Sequence, residues 1–306
     1  MKIISYKGLK TPAIILHGGA GRWLSRARSG LIAEALAYMV LAAVEALKAQ
    51  TPVEMVVEAV AVMEDSGVFN AGVGSVLNYD GEVEMDAGLM SSDGLAGAVA
   101  ATRYPRNPIR LALEVARRTS HVIISGRGAD KLAQKLGLPQ HPGPHPRQLK
   151  RYRQLIASRD KPAWARRLDE IYGSDTVGAA AATSKETAAA ASTGGITLKH
   201  PGRIGDSAIP GAGFYASRLA ACSATGIGEQ MILLSTCRRI VEAIEKGTDP
   251  REAAASIVEE HNRRFGPGGL GVIIITTWGE AVAAINTEAM PVCIADASSV
   301  SAFLLH

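Results

Sequence analysis

Two runs built almost entirely from small side chains constrain this chain most. They are residues 177–183 and 187–193, on either side of Ser184-Lys185-Glu186. Alanine and glycine carry little intrinsic preference for strands. Even so, the polar triplet reads as a turn and the flanking runs as the two strands of a hairpin, because small side chains let two buried layers approach closely. The chain then needs covering layers on both sides of that hairpin.

The remaining pattern supplies them. Residues 13–17 are a short apolar run ending in a glycine turn, which fits a buried strand. Residues 28–48 read as a helix. Thr51-Pro52-Val53-Glu54 combines a capping box with proline at the first helical position, so a second helix starts there. A strand is expected over 95–104, a helix capped by Asn107 through residue 118, and a short strand or buried turn over 121–125. Past the hairpin, helices are expected over 229–245 and 250–264, the latter ended by Gly266. Residues 270–277 and 281–287 read as a second hairpin turning at Trp278-Gly279. Strands framed by helices in both halves give a layered α/β fold.

Bulk properties narrow the function classes. The 306 residues suffice for a sizeable core, and 47% hydrophobic with 20% charged residues is ordinary for a globular protein. A net charge of +4 makes no case for nucleic acid. No apolar run reaches the length of a membrane span, and the N-terminus lacks the apolar region of a secretory signal. Cys222, Cys237 and Cys293 are odd in number and without metal-ligand spacing, so a reducing cytoplasm is expected. Residues 141–175 begin with a Pro/Gly/His breaker cluster and continue rich in Arg and Lys. They read as a solvated linker rather than a nucleic-acid arm. Gly266-Pro267-Gly268-Gly269-Leu270-Gly271 fits the dinucleotide pattern by letter, but it follows a helix and precedes a strand, the reverse of the required order.

The chemistry centres on Asp175-Thr176-Val177-Gly178. If the backbone broke before Thr176, its hydroxyl would lie beside its own free α-amine. That amine titrates around 7.7–8.0, which suits a general base for the hydroxyl of the same residue.

With Ser192-Thr193-Gly194-Gly195 and Gly202-Arg203-Ile204-Gly205-Asp206-Ser207, this block resembles the plant-type L-asparaginases, also called isoaspartyl aminopeptidases or β-aspartyl peptidases, of the N-terminal-nucleophile hydrolase superfamily. His17-Gly18-Gly19-Ala20-Gly21, Phe69-Asn70-Ala71-Gly72-Val73-Gly74-Ser75, Glu84-Met85-Asp86-Ala87 and Thr225-Gly226-Ile227-Gly228-Glu229 extend the likeness over most of the chain. The resemblance implies a four-layer αββα sandwich formed as one domain by residues 1–306. Self-cleavage between Asp175 and Thr176 would give an α subunit (1–175, with a mobile tail over about 141–175) and a β subunit (176–306), assembled as a homodimer, (αβ)2.

The resemblance also distributes roles. Thr176 is the nucleophile, and Thr193 contacts its amine or hydroxyl. Asn70 lies near the nucleophile, and Gly18 and Gly19 form a loop involved in self-cleavage. Arg203 offers a planar fork for a substrate α-carboxylate, Asp206 accepts the α-ammonium, and Gly228 adds a backbone contact. Outside this context a surface salt bridge is the plainer reading of Arg203 and Asp206. Thr225 and Gly226 supply oxyanion donors, and as a glycine turn before a helix they would aim N–H groups outward in any case. No catalytic cofactor is implied. A structural sodium ion held by backbone carbonyls of Glu64, Phe69 and Val73 is. The expected substrates are L-asparagine and β-aspartyl dipeptides, with no nucleic-acid or membrane partner. Two departures stand out: Asp175 replaces a glycine frequent in plant-type members and matches the aspartylglucosaminidases, and Ile227 replaces a common threonine. A glycosylasparaginase and an uncleaved, non-catalytic homologue therefore stand as alternatives.

Overall fold

The computed structural model describes residues 1–26, 29–157 and 176–306. Strands among them are β1 (Lys2–Lys7), β2 (Ala13–His17), β3 (Met85–Ser91), β4 (Ala96–Thr102), β5 (Ile123–Ser125), β6 (Val177–Ala182), β7 (Thr187–Thr193), β8 (Phe214–Ala216), β9 (Ala220–Gly226), β10 (Leu270–Thr276), β11 (Glu280–Ile285), β12 (Met290–Asp296) and β13 (Ser299–Leu305). Helices are α1 (Trp23–Arg26), α2 (Ser29–Ala46), α3 (Pro52–Asp65), α4 (Pro108–Arg118), α5 (Gly126–Lys135), α6 (Pro146–Ala157), α7 (Gly228–Leu234), α8 (Thr236–Glu245) and α9 (Pro250–Phe265). Among the described residues no helix is long and apolar enough to cross a membrane.

The small-residue runs are β6 and β7, antiparallel from Val177↔Ser192 to Ala182↔Thr187. They occupy the middle of an eight-stranded sheet ordered β13-β12-β2-β6-β7-β3-β4-β5, and a five-stranded sheet, β1-β11-β10-β9-β8, faces it. Side chains alternate between faces with a period of two. Ala179, Ala181, Ala188 and Ala190 join a core with Met39, Met55, Val60 and Leu111 of the helices. Ala180, Ala182, Ala189 and Ala191 instead meet Phe214, Ile273 and Ile275 between the sheets. On the far side, Val272 and Ile274 pack with Ile240 and Val258. The result is the expected four-layer αββα sandwich: α2–α5, the larger sheet, the smaller sheet, then α7–α9.

Three local readings differ from the structure. The helix expected over 229–245 is broken at Ser235, whose φ of +51° lies in the left-handed region. The break separates α7, which buries Met231 and Leu234, from α8, which lies on β9. Asn107 makes no side-chain cap on α4; its amide turns to Asp65 at 3.2 Å, and the buried Glu64 carboxylate accepts the Ile109 N–H at 3.1 Å instead. Within the stretch read as linker, α6 is docked. Leu149 and Tyr152 pack on Leu77, Val83 and Met85, and Gln148 Nε2 donates to the Gly74 carbonyl at 2.9 Å. Residues 158–175, Asp175 included, lie outside the described residues.

At Gly178 the larger sheet lies directly against Ser223 of the facing sheet. A Cβ there would lie 2.2 Å from both His17 Nε2 and Ser223 Oγ, atoms that are themselves 3.1 Å apart. Overpacking a fixed interior of this kind costs about 1–3 kcal/mol. Gly178→Ala should therefore lower the unfolding midpoint in urea. Gly128→Ala on α5, where the nearest atom to the new methyl is Ile124 Cγ2 at an ordinary 3.6 Å, should raise it by up to about 1 kcal/mol. Equal effects from the two variants would refute the close-approach argument.

Candidate active site

The nucleophile candidate sits where the hairpin begins. Thr176 precedes β6, is 4% exposed, and donates its hydroxyl to Thr193 Oγ1 at 3.0 Å. Thr193 closes β7, and its oxygen also accepts the Gly195 N–H at 2.9 Å. The antiparallel pairing of β6 and β7 brings the two threonines together, and the Gly194-Gly195 turn fixes the second of them.

Asn70 braces that turn. Its Nδ2 donates to the Gly195 carbonyl at 2.7 Å, its Oδ1 accepts the Val76 N–H at 2.9 Å, and its own carbonyl accepts the Gly194 N–H at 2.9 Å. A Cβ on Gly194 would stand 2.4 Å from Asn70 Oδ1, so glycine is required there. The side chain placed near the nucleophile by sequence thus bonds the turn behind Thr193, and none of these bonds reaches Thr176.

Gly18 and Gly19 leave β2 on the same side. The register His17↔Gly178, continued outward, carries them towards Val177 and Thr176. Gly19 has φ +99°, and a Cβ on Gly18 would meet the Phe69 ring at 2.7 Å. The next residue, Ala20, donates its N–H to Thr225 Oγ1 at 3.3 Å, linking this loop to the oxyanion candidate at the end of β9. Gly226 has φ +140° with the Gly269 carbonyl only 2.0 Å from where a Cβ would be. Beneath lies His17, fully buried against Ser223; burial pushes its imidazole down to about 3, so it stays neutral.

The carboxylate and ammonium candidates converge on Gly228. A Cβ on that glycine would meet Asp206 Oδ1 at 2.7 Å and Arg203 Nη2 at 2.9 Å. Arg203 is held bidentately by Glu229, Nε to Oε1 at 2.8 Å and Nη2 to Oε2 at 2.9 Å. Burial opposes ionisation of Glu229, yet the guanidinium holds its carboxyl below the usual range. Asp206 is 4% exposed, and burial raises its carboxyl to about 7 against the pull of Arg203. Its Oδ2 has no hydrogen-bond partner among the described residues. A buried acceptor left open in this way calls for a donor that arrives from outside. Gly195 joins the two halves of the site: it hydrogen-bonds Thr193 on one side, and its added Cβ would lie 3.3 Å from Arg203 Nη1 on the other.

Several supporting groups were not singled out by sequence. Glu229 stands in a recognised motif without an assigned partner. Asp86 Oδ2 accepts the Gly205 N–H and Glu84 Oε2 the Gly202 N–H, each at 2.9 Å, pinning the loop that carries Arg203. Lys199 is buried, donates Nζ to the Glu84 carbonyl at 2.9 Å, and is pushed down by burial. The available signal was the recognised motifs themselves, which contain Glu84, Asp86 and Glu229; Lys199 stands outside them.

The loop expected to hold an ion turns several carbonyls towards its own glycines. The Glu64 carbonyl would lie 2.7 Å from a Cβ at Gly72, and those of Phe69 and Gly67 would lie 2.0 and 2.9 Å from one at Gly74. These distances place the Glu64 and Phe69 carbonyls beside the loop's glycines, and they do not include the carbonyl of Val73. Among the described residues no cluster of His, Cys, Asp and Glu could hold a metal ion.

Comparison with known proteins bears on the family of the chain. The family model described as asparaginase matches residues 10–305. A plant-type L-asparaginase of Pyrobaculum calidifontis is 42% identical over 285 residues, covering 90% of this chain and 94% of that protein. One from Pyrococcus abyssi is 37% identical, covering 91% of this chain and 94% of that protein. An isoaspartyl peptidase/L-asparaginase of Rattus norvegicus is 38% identical, covering 91% of this chain and 84% of that protein. On the strength of a match that runs through every segment of the site just described, this chain belongs to the asparaginase family and is a hydrolase.

Proposed function

We propose that the chain cleaves itself before Thr176 and then hydrolyses L-asparagine and β-aspartyl dipeptides, with Thr176 as nucleophile in both reactions. The observation that carries this reading is the 3.0 Å contact between the Thr176 and Thr193 hydroxyls, joined through Gly195 to Arg203 and the buried Asp206. In the first reaction Thr176 Oγ attacks the carbonyl carbon of Asp175, and the peptide nitrogen leaves as the Thr176 amine. The ester so formed is hydrolysed by water, leaving the Asp175 carboxylate and a free N-terminal threonine.

In turnover the substrate's α-ammonium faces Asp206 and its α-carboxylate faces Arg203, with Gly228 leaving room for both. Thr176 Oγ attacks the side-chain amide carbon and passes its proton to the Thr176 α-amine. The Thr225 hydroxyl and the Gly226 N–H stabilise the oxyanion, a contribution of about 10²–10³ per donor in turnover. The amine protonates the departing ammonia or amino acid, and water then releases L-aspartate by the same route in reverse. A structural sodium held by the carbonyls of Glu64, Phe69 and Val73 would stiffen the loop that carries Asn70; no step passes through it. The working unit in this reading is a pair of cleaved heterodimers.

Intact mass after warm incubation tests the first reaction. Wild type should resolve into chains of 175 and 131 residues, while Thr176→Ala stays at 306. A wild type that remains whole and inactive would sink the reading. The cleaved enzyme should turn over L-asparagine and a β-aspartyl dipeptide but not a glycosylated asparagine. Asp206 must be ionised to accept an ammonium, and its carboxyl titrates at about 7. KM for L-asparagine should therefore fall as pH rises from about 6 to 8, the window around that value. Asp206→Asn should raise KM by about 100-fold or more and abolish this pH dependence, since it leaves a buried charge pair broken. An unchanged KM profile in the variant would assign the titration elsewhere.

A further inference from the structure

α2 is apolar on every side. Its only charged residues are Glu34 and Glu45. One face, with Ala35, Met39, Ala42, Ala43 and Ala46, is fully buried on the larger sheet and α3. The opposite face is not covered: Val40, Leu41 and Val44 are 36%, 46% and 40% exposed. A helix apolar all round is one that is covered all round, and contiguous exposed apolar surface marks an interaction site.

The order of residues along the exposed face indicates the occupant. Glu34, Ala37, Leu41, Val44 and Lys48 are spaced alternately by three and four residues, the seam that packs helix against helix. Lys48 lies just past the helix, on a turn that continues it through Leu47 N–Ala43 O at 3.0 Å and Lys48 N–Glu45 O at 3.1 Å. Leu41 is the midpoint of the seam. A two-fold axis through it sets Leu41 against its own copy and Ala37 beside the partner subunit's Val44. The same axis places Glu34 beside the partner subunit's Lys48. Among the described residues Glu34 has no ion-pair partner, and Lys48 meets only the half-buried Glu45 at 2.7 Å. A seam that is apolar at its centre and opposite in charge at its two ends complements itself when antiparallel, as an isologous interface requires. A lipid surface is a poorer match, because interfacial helices line their polar face with Lys and Arg and α2 has neither.

We infer that the outer face of α2 is the two-fold interface with a second copy of this chain, antiparallel about Leu41. This rests on the dimer reading above and adds the surface that makes the dimer.

Sedimentation equilibrium of the cleaved full-length protein tests it. Wild type should sediment as two copies. Leu41→Asp and Val44→Asp should each raise the dimer Kd by about 100-fold or more, since each places two carboxylates in an apolar seam. Leu233→Asp, at a 61% exposed position on α7, should leave it unchanged. Glu34→Lys alone should weaken the dimer several-fold, and Glu34→Lys combined with Lys48→Glu should restore it, a rescue that misfolding cannot imitate. A wild type that sediments as a single copy would overturn both the dimer and this face. A dimer that survives Leu41→Asp and Val44→Asp, or that is not restored by the double reversal, would overturn this face and leave the dimer standing.

Discussion

Everything in this fold depends on how closely two sheets approach at β6. Interiors pack as densely as organic crystals, so the separation of two facing sheets is set by the side chains between them. Alanines along β6 and β7, and the bare backbone of Gly178 between His17 and Ser223, draw the sheets together at the end that carries Thr176. The close approach does more than fill space. It places the glycine loop after β2 within hydrogen-bonding distance of Thr225 on the facing sheet. It also removes His17 from water so thoroughly that the imidazole stays uncharged beside the strand that Thr176 precedes.

The polar groups of the site are held by backbone more than by one another. The Gly194-Gly195 turn gives an N–H to Thr193, a carbonyl to Asn70 and clearance to Arg203. The loop bearing Arg203 and Asp206 is tied by two of its glycine N–H groups to Asp86 and Glu84. Bonds from charged carboxylates to backbone are stronger than neutral ones, and backbone donors do not change rotamer. Gly194, Gly226 and Gly228 each stand where another segment of the chain comes closer than an added methyl group allows.

Much of this was readable from sequence where periodicity or capping was decisive. The hairpin of residues 177–193, the strand before His17 and the Thr51 cap of α3 all follow local rules, and the structure has them. The motifs named by resemblance also meet in space. Where the reading fell short, the deciding contact was distant in sequence. β9 and β12 are strands because of partners far along the chain, β10 and β2 among them. α4 is capped by Glu64 from another helix rather than by Asn107. The break at Ser235 follows from packing α8 on β9. Glu229 matters because Arg203 folds back on it, and no spacing rule announces a partner 26 residues away.

The paired ends of Arg203 and Glu229 also set the electrical character of the pocket. Their charges cancel within a single bidentate contact, and Asp206, at about 7, carries only part of a charge near neutrality. A cluster so balanced projects little field into the solvent, and under the proposed function an amino-acid end bearing one positive and one negative group would join it without altering the total. Long-range attraction therefore contributes little to the encounter, and capture should proceed at nearly the same rate in dilute buffer and in concentrated salt.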